Sequence, residues 1–409
     1  MASSFDSVPI LDLSLADNPD TKIAFLADLR HAIIDVGFLY IKNFGVDQAF
    51  LDKVADYGKK FFNLPEEEKL RIEMKNGPHF LGYNKLGNEI TARKTDFREQ
   101  VDIGTELPTP TAQDPRYRWL YGKPFLCWRV LTIGPNMWPQ EGLLPEFRAV
   151  IEEYMLLMGD VAAKFLSLVA EAIGLPPNSF DQFFEPKDSR WKQQHKLKIV
   201  KYPDVADLPA GATTQGVGPH KGPPPRPHKA GNLMSVDSML SSYLLQVTDH
   251  RGLQVQNGDG EWIDCPPVRG TVVVALGQGM ESITQGICTS TTHRVISPPA
   301  GQGARYSIPF FQGVGLDAQF EAMSVPEEIR KRLMKGKKAS DVEFTFTKDA
   351  GFNCLGEAIF MNRVWFSLRV WAENRLKVIL MLGRDIIRIC WPRYGKRKLR
   401  WINLPMATE

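Results

Sequence analysis

Apolar residues recur at two different spacings along the chain, helical in its first half and strand-like in its second. In residues 21–36 the apolar positions lie mostly three or four apart, and Gly37 ends the predicted helix. Residues 48–62 predict a second amphipathic helix, and residues 144–173 predict the longest one. Short strands are predicted on either side of the first helix, at residues 8–13 and 38–41.

From residue 197 onward the pattern changes to short strands separated by glycine, proline and aspartate. The clearest are residues 197–202, 252–256, 271–276 and 305–311. Many short strands at regular spacing favour a sandwich or barrel of the jelly-roll kind. We therefore expect an α+β fold in which a jelly-roll core follows an N-terminal mixed region and a long supporting helix.

The composition is that of an ordinary globular protein, with 43% hydrophobic and 24% charged residues in a chain of 409. The five cysteines are scattered and form no C-x-x-C pair, which argues against a disulfide framework and against a zinc site. The N-terminus lacks the layout of a signal peptide, and no apolar run is long enough to span a membrane. These features predict a cytosolic location and no membrane partner.

The net charge of +3 is unevenly distributed. Residues 364–409 contain ten Lys and Arg against three Asp and Glu, a local charge of +7. Residues 1–363 therefore carry −4, the difference between +3 and +7. Because the body of the protein is mildly acidic, nucleic acid is not expected as a partner.

Arg305 and Ser307 are the first candidates for binding chemistry. Alternate residues of a strand share one face, so both side chains can point into a barrel lumen. A guanidinium together with a hydroxyl makes a good clamp for a carboxylate. From this tripeptide alone, a buried arginine paired with a structural Asp or Glu is equally compatible.

Two histidines are candidate metal ligands. His293 precedes the Arg305 strand by about a dozen residues, a spacing that suits strands of one barrel. His220, in Gly218-Pro-His-Lys, stands where a strand gives way to a loop. Two histidines and one carboxylate leave three positions on Fe(II), enough for a chelating 2-oxo acid and O₂. Four other histidines are interpreted as surface or hydrogen-bonded residues: His31, His79, His195 and His250.

Several motifs together resemble one enzyme family. They are residues 8–47, Gly82-Tyr, Lys94-Thr-Asp-Phe-Arg-Glu-Gln, residues 252–264, Thr271-Val-Val-Val, Thr292-His-Arg-Val and residues 305–311. Over residues 8–363 the chain resembles the isopenicillin-N-synthase-like oxygenases, the iron(II)- and 2-oxoglutarate-dependent dioxygenase family. The last four motifs are highly specific in combination.

The resemblance implies a double-stranded β-helix core and a His-x-Asp…His iron triad. It assigns the metal ligands to His220, Asp237 and His293, and the co-substrate contacts to Arg305, Ser307 and Tyr202. Arg305 and Ser307 would grip the C5 carboxylate of 2-oxoglutarate, and Tyr202 would add a hydrogen bond. The aromatic candidates for the substrate pocket are Tyr83, Phe80 and Phe310.

The chain departs from the family pattern at the metal motif. Asp237 follows His220 by seventeen positions instead of two, and residues 222–236 form a proline-rich insertion. Without these fifteen residues the chain would read His-Lys-Asp-Ser-Met. Codons GGT for Gly222 and GTA for Val236 would place GT and AG at the ends of a retained 45-base intron. A transcript that still encodes residues 222–236 across this junction would contradict that hypothesis.

The basic tail, residues 364–409, has two interpretations. It can be a genuine interaction tail. Alternatively, it can be an intron remnant followed by frameshifted sequence, because a shifted frame over Leu376-Lys-Val-Ile-Leu-Met-Leu-Gly can encode Lys-Ser-His-Pro-Asp-Val-Gly. No function is drawn from its charge.

The resemblance implies oxidation of a small organic substrate, by hydroxylation, desaturation or rearrangement, with release of succinate and CO₂, in secondary metabolism. Three alternatives stay open: a 2-oxoglutarate-independent oxidase, a halogenase-like site suggested by His220-Lys-Gly and His228-Lys-Ala, and an inactive chain disabled by the insertion. The oligomeric state is left open.

The expected organisation follows from these patterns. It comprises an N-terminal dioxygenase region (1–125), a helical support (126–190), the jelly-roll core (191–315), a C-terminal helical segment (316–363) and the tail (364–409).

Overall fold

The computed structural model describes residues 4–77, 81–91, 94–107, 135–184, 193–220, 240–315, 322–334, 379–382, 386–392 and 399–405. The chain divides into two compact units, Met1–Ala358 and Ile359–Glu409. Phe80, His79, Asp237 and residues 222–236 lie outside the described residues.

The first unit contains helices and strands in mixed order. Helices α1 to α6 are Pro19–His31, Gln48–Phe62, Glu66–Arg71, Phe147–Ala172, Gln278–Ile283 and Glu327–Leu333. Strands β1 to β7 are Ile10–Asp12, Phe38–Lys42, Gly82–Asn84, Glu89–Thr91, Lys94–Asp96, Glu99–Gly104 and Lys196–Tyr202. Strands β8 to β14 are Gln215–His220, Ser241–Gln246, Leu253–Gln256, Trp262–Asp264, Thr271–Leu276, His293–Ile296 and Arg305–Phe311.

The first predicted helix is confirmed and has a wider last turn than expected. Asn18 caps α1 by accepting a hydrogen bond from the backbone N–H of Asp20 at 3.0 Å. The helix continues through Ala32–Val36 as a π-helix and ends at Gly37, which has φ 72°. A Cβ at Gly37 would lie 2.3 Å from the Thr289 carbonyl oxygen, so this close approach requires glycine.

Two sheets build the core of the first unit. The larger has eight strands in the order β1-β2-β12-β9-β14-β7-β6-β3, and the smaller has four in the order β11-β10-β13-β8. One buried cluster contains Phe38, Tyr40, Val200 and Val273 from the larger sheet and Val217, Val255 and Val295 from the smaller. The sheet faces that contribute to this cluster are called the inner faces below. A mixed α+β architecture with two sheets is confirmed.

The long helix α4, predicted at residues 144–173, packs on the outer face of the larger sheet. The ring of Phe165 on α4 lies 6.0 Å from that of Tyr243 on β9. The ring of Tyr243 in turn lies 6.2 Å from that of Phe310 on β14. Burial on both faces explains why residues 272–276 of β12 are all apolar.

The second unit forms a sheet of three antiparallel strands in its described part. Strands β15 to β17 are Ile379–Leu382, Ile386–Pro392 and Leu399–Pro405. Neither interpretation of the basic tail is tested by this arrangement. Among the described residues of the whole chain, no helix is long and apolar enough to cross a membrane.

Candidate metal and co-substrate site

His293 and His220 lie directly opposite each other on neighbouring strands. They are paired residues in the antiparallel ladder of β13 and β8. The two histidines, far apart in sequence, are therefore adjacent in the fold, although the side chain of His220 lies outside the described part.

The side chain of His293 points into the core. It is 8% exposed, and its ring lies 5.0 Å from that of Phe38 on the inner face of the larger sheet. Its Nδ1 lies 3.2 Å from the Thr291 carbonyl oxygen, the contact of an Nδ1–H donor. In that tautomer Nε2 carries the lone pair, which is the form in which imidazole binds a metal.

The third predicted ligand, Asp237, belongs to the part of the chain that is not described. The described chain resumes just before β9, which begins at Ser241. Among the described side chains, no group of three His, Cys, Asp or Glu could hold a metal. Two of the three predicted ligands lie outside that search, so it does not test the triad.

Arg305 is a buried guanidinium with two uncommitted donors. The residue is 1% exposed, and its Nη2 donates to Gln246 Oε1 at 2.9 Å. Its Nε and Nη1 are buried and have no hydrogen-bond partner among the described residues. Burial lowers the pKa of Arg305, and the neighbouring Tyr202 hydroxyl opposes that shift.

A buried charge left unpaired costs several kcal/mol, so a carboxylate ligand beside Arg305 would remove a large penalty. No described carboxylate forms an ion pair with this guanidinium. The side-chain placement therefore supports a bound carboxylate more than the alternative of a structural Asp or Glu partner within the described chain.

Tyr202 and Ser307 share the inner face with Arg305. Tyr202 pairs with Arg305 across β7 and β14, and its ring lies 5.2 Å from the guanidinium carbon. Ser307 is 2% exposed and lies two residues along β14, on the same face. A Cβ at Gly216 would lie 2.6 Å from Tyr202 Cδ1, so the β8 backbone packs tightly on this ring.

Two of the aromatic pocket candidates lie on the opposite face of the larger sheet. Phe310 is an odd number of residues from Arg305 on β14, and it packs 5.3 Å from the ring of His195 and near α4. The Tyr83 hydroxyl donates to Glu99 Oε2 at 2.6 Å, and the Tyr83 ring packs against that of Phe61 on α2. The structure does not bring either residue together with Arg305, and Phe80 lies outside the described residues.

Sequence reasoning missed a set of polar residues on the inner face. They are Asn84, Arg98, Gln100, Asp102 and Gln246. The available signal was the alternation in Glu99–Gly104, where polar Gln100 and Asp102 occupy alternate positions of a strand that is otherwise mostly apolar. Because buried polar groups need partners, such a strand points to a polar lumen.

The lone histidines behave as predicted where they are described. His31 forms an exposed contact with Asp35 at 2.8 Å, and His250 contacts the Gln302 carbonyl at 2.7 Å. His195 is buried, its Nδ1 accepts from the Gly313 N–H at 3.2 Å, and burial lowers its pKa to about 4. None of these three lies beside His293 in sequence or ladder.

Two protein-family models match the chain. The model described as non-haem dioxygenase in morphine synthesis N-terminal matches residues 8–141. The model described as 2OG-Fe(II) oxygenase superfamily matches residues 199–314. Together they span more than half of the 409 residues.

Known proteins resemble the chain over most of its length. It is 54% identical to the 2-oxoglutarate-dependent dioxygenase frbJ of Dothideomycetidae sp. (strain 11243), over 88% of this chain and 90% of that protein. It is 32% identical to the homoarginine-6-hydroxylase 2-ODD-C23 of Glycine max, over 83% and 93%. The crystal structure of the dioxygenase for auxin oxidation in rice matches with a TM-score of 0.54 and 19% identity, covering 82% of this chain and 98% of that one. That structural match concerns the fold alone.

Proposed function

The chain belongs to the 2OG-Fe(II) oxygenase superfamily and is a 2-oxoglutarate-dependent dioxygenase, and from this we propose which of its residues perform the reaction. The proposed iron ligands are His220, Asp237 and His293. The proposed co-substrate residues are Arg305, Ser307 and Tyr202. The observation that carries the proposal is the buried Arg305, with two uncommitted donors on the inner face.

The histidine pair fits a metal centre. Direct pairing brings His220 and His293 opposite each other on neighbouring strands, and the Thr291 contact of His293 selects the metal-binding tautomer. Asp237 would complete the facial triad from the segment that leads into β9. Family members use iron(II), which supports this metal over others.

The Arg305 environment fits the far carboxylate of 2-oxoglutarate. Nε and Nη1 can donate two hydrogen bonds to a carboxylate. The Ser307 hydroxyl lies on the same face of β14 and would add a third contact. Gln246 orients the guanidinium through Nη2, and the Tyr202 ring limits its movement from the neighbouring strand.

When bound, iron(II), 2-oxoglutarate and O₂ supply the oxidising chemistry, which converts the co-substrate to succinate and CO₂. The protein's residues hold the co-substrate by its carboxylate, shield the site from water and place the substrate. The substrate is proposed to be a small organic molecule, hydroxylated, desaturated or rearranged in secondary metabolism. The name of the Glycine max relative, which denotes oxidation of an amino acid, supports a small substrate.

The finer architecture is proposed as a double-stranded β-helix, or jelly roll, within residues 191–315. Two sheets with one shared core support it, as does the match to residues 199–314. The other predicted segments, 1–125, 126–190, 316–363 and 364–409, remain predictions. So do the cytosolic location and the absence of nucleic-acid and membrane partners.

Replacement of Arg305 by Leu tests the co-substrate assignment. We expect binding of 2-oxoglutarate, measured by anaerobic calorimetry with iron(II), to weaken at least roughly a hundredfold, because two charge-assisted contacts are lost. The matched control is Arg294→Leu, which removes an arginine that stacks at 3.9 Å on Trp262 on the smaller sheet. Equal affinity in Arg305→Leu and wild type would overturn the assignment.

Product analysis separates this function from the alternatives. Succinate formation that requires added 2-oxoglutarate supports the dioxygenase assignment over a 2-oxoglutarate-independent oxidase. A chlorinated product that requires chloride would support the halogenase-like site.

Deletion of residues 222–236 tests whether the insertion disables the metal site. A fifteen-residue excursion has a modest entropic cost, so it permits Asp237 to approach His220. Iron(II) binding by the complete chain at the affinity of the deletion variant would support the triad as an active site. Iron(II) binding that appears only after deletion would support the inactive-chain interpretation.

A further inference from the structure

One helix end in the N-terminal region bonds to the segment that precedes a proposed iron ligand. The helix end is the π-helix Ala32–Val36, called the π-turn below, and the segment is residues 289–291, called the threonine segment. The last four carbonyl groups of a helix have no partner within it, so a buried helix end needs other donors. Because π-helical turns are rare and frequently lie at functional sites, the partners of these carbonyl groups are informative.

Two residues of the threonine segment donate hydrogen bonds to the π-turn. The Thr289 N–H donates to the Ile33 carbonyl at 2.9 Å, and the Thr289 hydroxyl donates to the Ile34 carbonyl at 2.6 Å. The Thr291 hydroxyl donates to the Val36 carbonyl. Both threonines are buried, at 2% and 4% exposed, so these bonds form away from water. Three carbonyl groups of one helix end are therefore held by two threonines.

The threonine segment is fixed on two sides. On the side of the π-turn, a Cβ at Gly37 would lie 2.3 Å from the Thr289 carbonyl oxygen and 2.5 Å from Thr291 Oγ1. This approach leaves no room for a side chain at position 37. On the other side, Glu281 Oε1 of α5 accepts from the Ser290 N–H at 3.4 Å. The backbone of the segment is therefore held between the π-turn and α5.

The threonine segment leads directly to His293 and contacts its ring. His293 Nδ1 lies 3.2 Å from the Thr291 carbonyl oxygen, so the residue whose hydroxyl binds the π-turn also contacts the imidazole. The ring of Phe38, which follows Gly37 directly, lies 5.0 Å from the ring of His293. Both of these contacts come from groups that the π-turn, or the chain leaving it, holds in place.

We propose that Thr291 is a positioning residue for the iron site. Its hydroxyl, bound to the π-turn, fixes its own carbonyl group, and that carbonyl sets the direction in which His293 Nε2 points. Thr289 supports this arrangement by holding the start of the threonine segment. The inference rests on the proposed function, because it takes His293 as an iron ligand.

The expected size of the effect follows from how precisely metal ligands have to be placed. A ligand that moves by more than roughly 0.5 Å leaves its productive position. Removal of a group that orients a ligating histidine typically costs about 10- to 100-fold in metal affinity. A threonine that only caps the helix would behave differently, because its loss would lower stability and leave the metal affinity unchanged.

Thr291→Val and Thr291→Ser separate the hydroxyl from the size of the side chain. Valine has the shape of threonine without the hydroxyl, whereas serine keeps the hydroxyl. The complete chain is titrated with iron(II) by calorimetry without O₂. We expect Thr291→Val to weaken iron(II) binding about tenfold or more, and Thr291→Ser to change it less than about threefold. Equal iron(II) affinity in Thr291→Val and the wild type would overturn the proposal.

Thr271→Val is the matched control. The Thr271 hydroxyl is also buried and donates to a backbone carbonyl, that of Val268, at 2.7 Å. Thr271 lies four residues along β12 from Ala275, which pairs with Phe38, a separation of about 13 Å at about 3.3 Å per residue. We expect its iron(II) affinity to stay within about threefold of the wild type. Equal losses of affinity in Thr271→Val and Thr291→Val would contradict a specific role of Thr291.

Visible absorption of Co(II), bound at saturation in place of iron(II), tests the ligand geometry separately from affinity. We expect the absorption bands of Thr291→Val to differ from those of the wild type in position or intensity. The bands of Thr291→Ser and Thr271→Val should coincide with the wild type. A Thr291→Val spectrum identical to that of the wild type would show that the imidazole keeps its position, which would overturn the proposal.

The same titrations keep this proposal distinct from the proposed function. If neither the complete chain nor the variant lacking residues 222–236 binds iron(II), the iron-site assignment is refuted and the positioning role with it. If iron(II) binds only after that deletion, the threonine variants are compared in the deleted chain. Iron(II) binding that Thr291→Val does not alter would refute only the positioning role. Urea unfolding of each variant shows whether it is folded under the assay conditions.

Discussion

Gln246 offers a test of how the fold positions the proposed carboxylate clamp. Its side-chain oxygen accepts from Arg305 Nη2 at 2.9 Å. Its Nε2 donates to the carbonyl oxygens of Cys265 and Pro266 at 3.2 and 3.3 Å. The amide is therefore held from one side while it orients the guanidinium on the other. Gln246→Leu keeps a similar volume and removes all three contacts.

The size of the effect follows from the contact that Arg305 loses. A hydrogen bond to a charged group contributes about 1.5–3 kcal/mol, and each ~1.4 kcal/mol corresponds to a tenfold change in affinity. If that bond serves to orient the guanidinium, Gln246→Leu should weaken 2-oxoglutarate binding roughly 10- to 100-fold. The apo protein should also lose on the order of 2 kcal/mol of unfolding free energy, since Arg305 loses its hydrogen bond to Gln246.

Calorimetry with 2-oxoglutarate and urea unfolding measure these two quantities separately. The matched control is Gln254→Leu on the smaller sheet, where Gln254 accepts from Arg294 Nε at 2.8 Å and donates to Asp264 at 2.8 Å. That variant breaks a similar glutamine–arginine contact away from the site and should leave 2-oxoglutarate affinity unchanged. An unaltered affinity in Gln246→Leu, with lowered stability, would refute the positioning role and leave Gln246 a structural residue.

Two further predictions concern stability. Burial lowers the pKa of His195 from an ordinary 6.5 to about 4, so the unfolded chain binds a proton in that range that the folded chain does not. The free energy of unfolding should therefore fall as pH decreases from about 6.5 toward 4, by on the order of 3 kcal/mol in total. Urea unfolding of His195→Gln should lack this component. A variant whose unfolding free energy has the same pH slope as that of the wild type would contradict the prediction. Gly37→Ala should lower unfolding free energy by more than about 3 kcal/mol, because a positive φ adds to a clash with a carbonyl oxygen. The control is Gly45→Ala, where φ is 90° but a Cβ would meet open space, so the unfolding free energy should fall by only about 1–2 kcal/mol. Equal losses in the two variants would contradict the clash at Gly37.

Sequence periodicity was sufficient for the elements and for part of the site. The helix at Gln48–Phe62 and the strands Thr271–Leu276 and Arg305–Phe311 have the predicted bounds, because each has a clear apolar period bounded by turn residues or a cap. Alternation also placed Arg305 and Ser307 on one face. These are local properties, determined by backbone geometry that repeats every two or about 3.6 residues.

The substrate-pocket candidates show where local reasoning fails. Tyr83 and Phe310 are predicted to face the substrate, yet each lies on the outer face, one residue out of phase with Asn84 and Pro309. Sequence alternation separates the two faces of a strand without saying which face meets the other sheet. For β14, alternation from Arg305 already separates Phe310 from the co-substrate face, whereas both faces of β3 are buried and burial does not distinguish them.

By itself, the sequence determined the class of chemistry, the three longest helices, several of the strands, and the residues that share a face within one strand. Only the tertiary structure decided that His220 pairs with His293, that Tyr202 pairs with Arg305, and that the row through Gln100 reaches Ser307. Those pairings join residues 73 to 107 positions apart, the extremes being His220 with His293 and Val200 with Ser307. Strand register over such distances is selected by packing of the whole core, because a shift of one residue would move every side chain to the other face.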